Sequence, residues 1–232
     1  MKKQSLYTIF TLGLALAALI IYSAPANATA TLELISGSST VTVADGSGSG
    51  VVGYSGTVGG WDLNVSTGVT YPFSGTASLP NLDLNSVNYS TSGSAPLEIL
   101  FSDTGFVPPP AATLNVGGTI SGLTSVQASA YYDTSDTILA TTVQIYPTYT
   151  ILATTYQIGS TLSFTSAAFS GTTGGNINAN GPISITELVV LDPDGGSGSI
   201  DASVTTPEPG TLFLLGTGLL GLGALRKRFK KA

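Results

Sequence analysis

The chain is expected to be all-β: an antiparallel β-sandwich of jelly-roll or immunoglobulin-like type, flanked by an N-terminal signal helix and a C-terminal transmembrane helix. Three observations predict this. Apolar and polar residues alternate with period 2 in many short runs between Thr29 and Thr206. Glycine-rich turn sequences separate those runs. Strong helix formers other than Ala and Leu are scarce, and only the two termini carry continuous apolar stretches.

The first element is the N-terminus. Lys2 and Lys3 precede an apolar run from Leu12 to Ile21, and small residues follow from Ser23 to Ala28. A charged region, an apolar region and an Ala-x-Ala site in that order make a secretory signal peptide. Ala26-Asn27-Ala28 places signal peptidase cleavage after Ala28, with Ala28-Thr29-Ala30 as the second choice. The run is short for a membrane span, and Pro25 would break a helix just past it. Residues 1–28 are therefore the signal peptide, and residues 29–205 the exported domain.

Within that domain, Trp61-Asp62-Leu63-Asn64-Val65-Ser66-Thr67 alternates cleanly. So do Leu97, Ile99 and Phe101, and Ile200, Ala202 and Val204. Asp45-Gly46, Gly59-Gly60, Gly174-Gly175-Asn176, Asn180-Gly181-Pro182 and Asp194-Gly195-Gly196 mark turns. Alternation implies one solvated face per sheet. Pro108-Pro109-Pro110 is expected to be a loop inside one sandwich, since neither half alone is large enough for a comfortable core without disulfides. One repeat stands out: Thr137-Ile138-Leu139-Ala140-Thr141-Thr142-Val143-Gln144-Ile145 recurs from Thr150 to Ile158 with Tyr156 in place of Val143. The expectation is two strands about the intervening Tyr146-Pro147-Thr148-Tyr149.

Composition removes whole classes of chemistry. All seven basic residues lie at the two ends, and from Thr29 to Thr206 there is no Lys, Arg, His or Cys. Of the thirteen acids, only Glu208 lies outside that stretch, so the domain carries twelve. A nucleic-acid site needs cations to neutralise phosphate, so no nucleic-acid partner is expected. His, Cys and Lys catalysis and zinc sites with His or Cys ligands are excluded within the domain. Stability is expected to rise with salt and with mild acid, because unpaired like charges repel.

Carboxylates could still serve a glycosidase, if two faced each other across a cleft. Asp103-Thr104-Gly105 matches half of an aspartic-protease pair, but that chemistry needs two such aspartates and only one tripeptide occurs, so an ordinary strand end with Asp and Gly in the turn is the expected reading. Asp192, Asp194 and Asp201 cluster with glycines, but they match neither an EF-hand loop nor the calcium nonapeptide, so no metal or cofactor is expected. Asp133 with Asp136 is a weaker pair of the same kind. Trp61, Tyr131, Tyr132, Tyr146 and Tyr149 are candidates for stacking on sugar rings. Asn64-Val65-Ser66 and Asn88-Tyr89-Ser90 match the glycosylation sequon.

The last element is the C-terminus, residues 206–232. Pro207-Glu208-Pro209 is followed by an apolar Leu/Gly-rich segment from Thr211 to Leu225, then by Arg226, Lys227, Arg228, Phe229, Lys230 and Lys231. At ~1.5 Å per residue a helix over those fifteen residues reaches roughly 22 Å, against a hydrocarbon core of about 30 Å. The segment is a marginal span, and the basic cluster is a membrane stop that holds the tail inside. This arrangement closely resembles a PEP-CTERM sorting signal, with Gly210 where Ala or Ser is common. The same segment is sometimes called an ice-binding-protein C-terminal domain, a label for the anchor alone.

The resemblance implies an exosortase-type transpeptidase as partner, an inner-membrane-anchored precursor, and delivery to the cell envelope surface or outside the cell of a Gram-negative bacterium. The body, through Gly59-Gly60-Trp61-Asp62-Leu63-Asn64-Val65, Leu82-Asp83-Leu84-Asn85-Ser86 and Phe101-Ser102-Asp103-Thr104-Gly105-Phe106, is similar to uncharacterised exported PEP-CTERM proteins. The function expected on these grounds is that of a non-enzymatic surface or extracellular-matrix protein, with extracellular polysaccharide as a further partner. The alternatives are a lectin-like or ice-binding sandwich and, behind it, a carboxylate-dependent glycosidase.

Overall fold

The computed structural model describes residues 29–141 and 153–207. Every regular element among them is a strand: β1 (Thr31–Ser36), β2 (Ser39–Ala44), β3 (Val51–Val58), β4 (Trp61–Val69), β5 (Gly75–Thr76), β6 (Leu79–Thr91), β7 (Leu97–Phe106), β8 (Ala111–Asp133), β9 (Thr155–Phe164), β10 (Ala168–Asn176) and β11 (Ile183–Thr205). All pairings between them are antiparallel. The signal segment, the apolar C-terminal span with its basic tail, and Glu208 and Pro209 lie outside the described residues.

Two long strands organise the sandwich. The first half of β11 (183–192) lies between β7 and the second half of β8 (125–133). The second half of β11 (197–205) lies between β6 and the first half of β8 (111–121). The β8–β11 ribbon therefore belongs to two sheets. Sheet 1 runs β2-β1-β7-β11-β8-β9, and sheet 2 runs β3-β4-β6-β11-β8-β10. The ribbon folds over where its register breaks, between Asp192 and Ser197 on β11. Gly122 sits opposite at φ +67, and a Cβ there would strike the Gly195 carbonyl. The Asp194-Gly195-Gly196 turn signal thus marks a bend within one strand rather than a boundary between two.

The core lies between the sheets. Leu32, Leu34, Ile99 and Phe101 from sheet 1 meet Leu82, Leu84, Leu114 and Val204 from sheet 2, all fully buried. Gly68 lets the layers close, since a Cβ there would come within 3.0 Å of the Phe101 ring. Residues 107–110, with the three prolines, link the end of β7 to the start of β8 and so cross from sheet 1 to sheet 2. Segment 177–182 makes the return crossing at the same end of the sandwich.

In the first copy of the repeat the described residues are Thr137–Thr141, which are turn or coil, with Leu139 at φ +59. Their counterparts Ala153 and Thr154 are likewise turn, and the residues matching the strand-forming Thr155–Ile158 lie outside the described residues. The edge of β8 is taken by the second copy, whose Thr155–Ile158 begin β9 opposite Asp133–Ala130. Thr137–Leu139 lie on the outer face of sheet 1. The Leu139 N–H donates to Ser102 Oγ at 3.0 Å, and the Ser184 hydroxyl donates to the Thr137 carbonyl. Residues 142–152 lie outside the described residues.

One expectation is corrected, that each sheet has a solvated face. Sheet 1 has no fully solvated face. All six residues of β1 are buried, and so are Ile183 to Val189 of β11. Ile35, Leu100, Tyr131 and Leu188 form a second apolar cluster on the outer side, closed by Leu139 and Ile138.

Candidate ligand-binding face

The outer face of sheet 2 is the opposite case. Inward-pointing Trp61, Leu63, Leu82, Leu84, Val87, Tyr89, Leu114, Val116, Ile200 and Val204 leave the alternate residues outside. In register they make cross-strand rows of hydroxyls and amides. Ser55, Asn64, Asn88, Ser199 and Thr119 form one. Thr57, Asp62, Ser90, Ser197 and Ser121 form the next. Asp83, Ser203, Asn115 and Thr172 form a third, nearer the chain ends. One extra residue in β6, where Leu84 and Val87 face Ala202 and Ile200, lets both Asp83 and Asn88 point outward.

Neighbours along the rows are already linked. Thr119 and Ser199 hydroxyls lie 3.3 Å apart, and Thr172 Oγ1 donates to Asn115 Oδ1 at 3.0 Å. Two shallow hollows open here. One, of about 410 Å³, is lined by Ser55, Thr57, Asp62, Asn64, Asn88 and Ser90. The other, of about 360 Å³, includes Asp83, Asn115, Thr172, Asp201 and Ser203. Burial, reinforced by the Asp201 charge, raises the Asp83 carboxyl above its ordinary value. Such a face can hydrogen-bond along a hydroxyl-rich chain, at a net ~0.5–1.5 kcal/mol per bond.

The residues singled out in the sequence fall in several places. Trp61 is fully buried, tilted against Tyr89 at 5.7 Å, and its indole N–H donates to the Ala95 carbonyl at 2.9 Å. Tyr131 and Tyr132 are buried, while Tyr146 and Tyr149 lie outside the described residues. Among the described residues, the expected stacking aromatics are core. The exposed aromatic on the sheet 1 edge is Tyr156, stacked on Tyr132 at 5.3 Å. Both sequon asparagines, Asn64 and Asn88, are exposed and directly opposite each other on the sheet 2 face.

The acids divide similarly. Asp201 faces outward on sheet 2 near Asp83, whereas Asp192 and Asp194 sit at the bend of β11. Asp103 is fully buried and accepts from Thr70 Oγ1 and the Thr104 N–H; desolvation pushes it up to about 6. It serves to tie β7 to the loop after β4. Asp136, at φ +57, accepts from the Gly105 N–H at 2.8 Å. Burial raises Asp133, but hydrogen bonds from Thr154, Thr137, Thr155 and Ser135 outweigh it and hold the group below its ordinary value. For Asp45 likewise, bonds from Ser47, Gly50 and Ser49 outweigh desolvation and bring it to about 2.

One group had no sequence signal. Glu187 points into the core, between Phe101 and Ala130 on the flanking strands, and neither carboxyl oxygen has a hydrogen-bond partner. Desolvation, with a contribution from Asp83, raises it well above its ordinary value. Glu98, on the outer face of sheet 1, is raised to about 7 by burial.

β11 ends at Thr205, and Thr206 Oγ1 donates to the Pro80 carbonyl at 3.3 Å. Residues 205–228 match the PEP-CTERM protein-sorting motif, so the chain carries that motif directly after its last strand. No curated protein sequence matches the chain. Among solved structures it is similar to the enzymatically active domain of bacteriophage CBA120 tailspike protein 4 (12% identity, 64% of this chain but only 19% of that one, TM-score 0.33). It is also similar to TmCBM61 in complex with β-1,4-galactotriose (12% identity, 63% and 88% of the two chains, TM-score 0.33). A third is the adhesin domain of Epf from Streptococcus pyogenes (9% identity, 76% and 56%, TM-score 0.34). At these scores the likenesses are distant and say nothing of what this chain binds.

Proposed function

We propose that this is a non-enzymatic exported surface or matrix protein, released from a membrane-anchored precursor by an exosortase-type transpeptidase. In this account its sheet 2 face holds extracellular polysaccharide by hydrogen bonding. The sorting motif at residues 205–228 supports export and processing. The observation that carries the binding role is the unbroken outer row Ser55, Asn64, Asn88, Ser199 and Thr119, open across five strands. Strands lie about 4.8 Å apart, so the row is roughly 19 Å long.

The mechanism is physical. Amide and hydroxyl groups fixed by the sheet lose little freedom on binding, so many weak bonds add along an extended ligand. Asp62, Asp83 and Asp201 on this face, with no cation between Thr29 and Thr206, favour neutral or amino-bearing glycans and disfavour acidic ones.

Affinity electrophoresis of the full-length protein in gels cast with extracellular polysaccharide tests this. Retardation is expected for the natural protein, and Asn64→Ala with Asn88→Ala should weaken it severalfold. Equal mobility with and without polysaccharide would contradict the binding role. Replacing Pro207, Glu208 and Pro209 by Ala should separately leave the protein in the inner membrane, and unchanged release would show that the motif is not used.

A further inference from the structure

Among the described residues the large apolar side chains that stand most exposed are Phe73 at 70% and Val107 at 56%, followed by Tyr156 at 47%. Phe73 and Val107 share one end of the sandwich, and it is the end from which the chain leaves toward its apolar segment. The links are direct. Val107 donates its N–H to the Ala77 carbonyl at 2.8 Å, which joins the 107–110 and 71–78 loops. Ser74, next to Phe73, accepts from Asn81 Nδ2 at 2.6 Å. Asn81 is the cross-strand partner of Thr205, and Thr206 bonds to Pro80.

The segments around them carry no charged side chain: 71–78, 107–110, 177–182 and 205–207 contain no Asp, Glu, Lys, Arg or His. The acids at this end are withdrawn: Asp45, Asp103 and Asp133 are buried, and Asp136 is bonded to Gly105. An end with two exposed apolar side chains, prolines on both loops and its acids buried or hydrogen-bonded is suited to a low-dielectric boundary.

Chain length places that boundary. Three residues separate Pro207 from Thr211, where the apolar segment begins. At no more than ~3.6 Å per residue the four steps cover at most about 14 Å. The headgroup layer of a bilayer is roughly 5–8 Å deep on each side. The loops at this end therefore sit within reach of the headgroups whenever the segment is inserted.

We infer that in the anchored precursor the Phe73–Val107 end of the sandwich rests in the lipid headgroup layer, so that the body stands upright with its β8–β11 bend farthest from the membrane. This rests on the anchored-precursor account above. It fixes the orientation in which the sorting motif is presented to a membrane transpeptidase.

The chain has no cysteine, so single introduced cysteines report one site each. Full-length Phe73→Cys, Val107→Cys and Asp194→Cys proteins, the last at the far bend, would be nitroxide-labelled and reconstituted in phosphatidylcholine vesicles. Accessibility to oxygen and to a water-soluble nickel chelate would then be read by power saturation. The oxygen-to-nickel ratio is expected to be severalfold higher at 73 and 107 than at 194. Protein that floats with the vesicles while all three labels read as water would overturn the inference alone. Protein that does not float would overturn it together with the anchored-precursor account. Labels shielded from both reagents in proportion to protein density would assign the patch to a second copy and overturn it as well.

Discussion

The two sheets share their central strands yet differ on their outer faces. The first half of β11 is buried on both sides, because Leu139 and its neighbours lie across Leu188 and Leu100. The second half has Ile200, Ala202 and Val204 inside and Ser199, Asp201 and Ser203 turned to solvent. One strand thus serves as interior in sheet 1 and as a one-sided surface in sheet 2. The difference is set by where the chain spends its connecting segments. Sheet 1 uses its outer face for structure, whereas that of sheet 2 stays open to solvent.

Core truncation should expose this asymmetry most strongly. Leu188→Ala, on the outer face of sheet 1, is expected to cost about 2–5 kcal/mol, as for any buried leucine. Ser90→Ala, on the outer face of sheet 2, should stay within about 0.5 kcal/mol. Chemical denaturation of the two variants measures both, and similar costs would erase the distinction.

The pH response comes next. Glu187, Glu98 and Asp103 have folded values above their unfolded ones, with Glu98 at about 7 and Asp103 at about 6. A group raised on folding binds protons more readily in the folded state. Its contribution is complete below about pH 4 and is lost as pH rises through the folded value. Asp45, brought to about 2, and Asp133, also lowered on folding, act oppositely and lose their contribution as pH falls through their folded values. Melting temperature should therefore peak in mild acid, near pH 4–5, and decline toward pH 8. Each titrating group removes up to about 1.4 kcal/mol per pH unit. Glu187→Gln should flatten the decline while leaving the acid limb unchanged; an unaltered slope would show that Glu187 is not the group responsible. Mild acid was expected to stabilise the domain by relieving repulsion, but for these three carboxyls desolvation is the larger cause.

Salt should have the smallest effect. Residues 29–206 carry twelve acids and no Lys, Arg or His, so raising ionic strength is expected to add up to about 1 kcal/mol. A thermal melt that drops as sodium chloride rises would contradict the charge account.

Sheet 2 was legible in the sequence because one of its faces is wet. Trp61-Asp62-Leu63-Asn64 and Ile200-Asp201-Ala202-Ser203 alternate in the chain as they do in space. Sheet 1 was less so. Ile183-Ser184-Ile185-Thr186 alternates too before Glu187-Leu188 reverses the pattern, yet both faces are buried, and the covering segment is distant enough that no local pattern announces it. The polar face could not be foreseen as one site, because its rows join residues from five strands that only the register brings together. Glu187 was illegible as a core residue, since a carboxylate in an alternating run reads as solvent-facing.

The central claim is that the outer face of sheet 2, and not that of sheet 1, meets the ligand. Hydroxyl-radical footprinting of the full-length protein, with and without extracellular polysaccharide, tests it directly. The account predicts protection across strands β3, β4, β6 and β11 within 55–64, 88–90 and 197–203, with the exposed edge of sheet 1 around Tyr156 unchanged. Protection confined to sheet 1, or a pattern unaffected by polysaccharide, would contradict it.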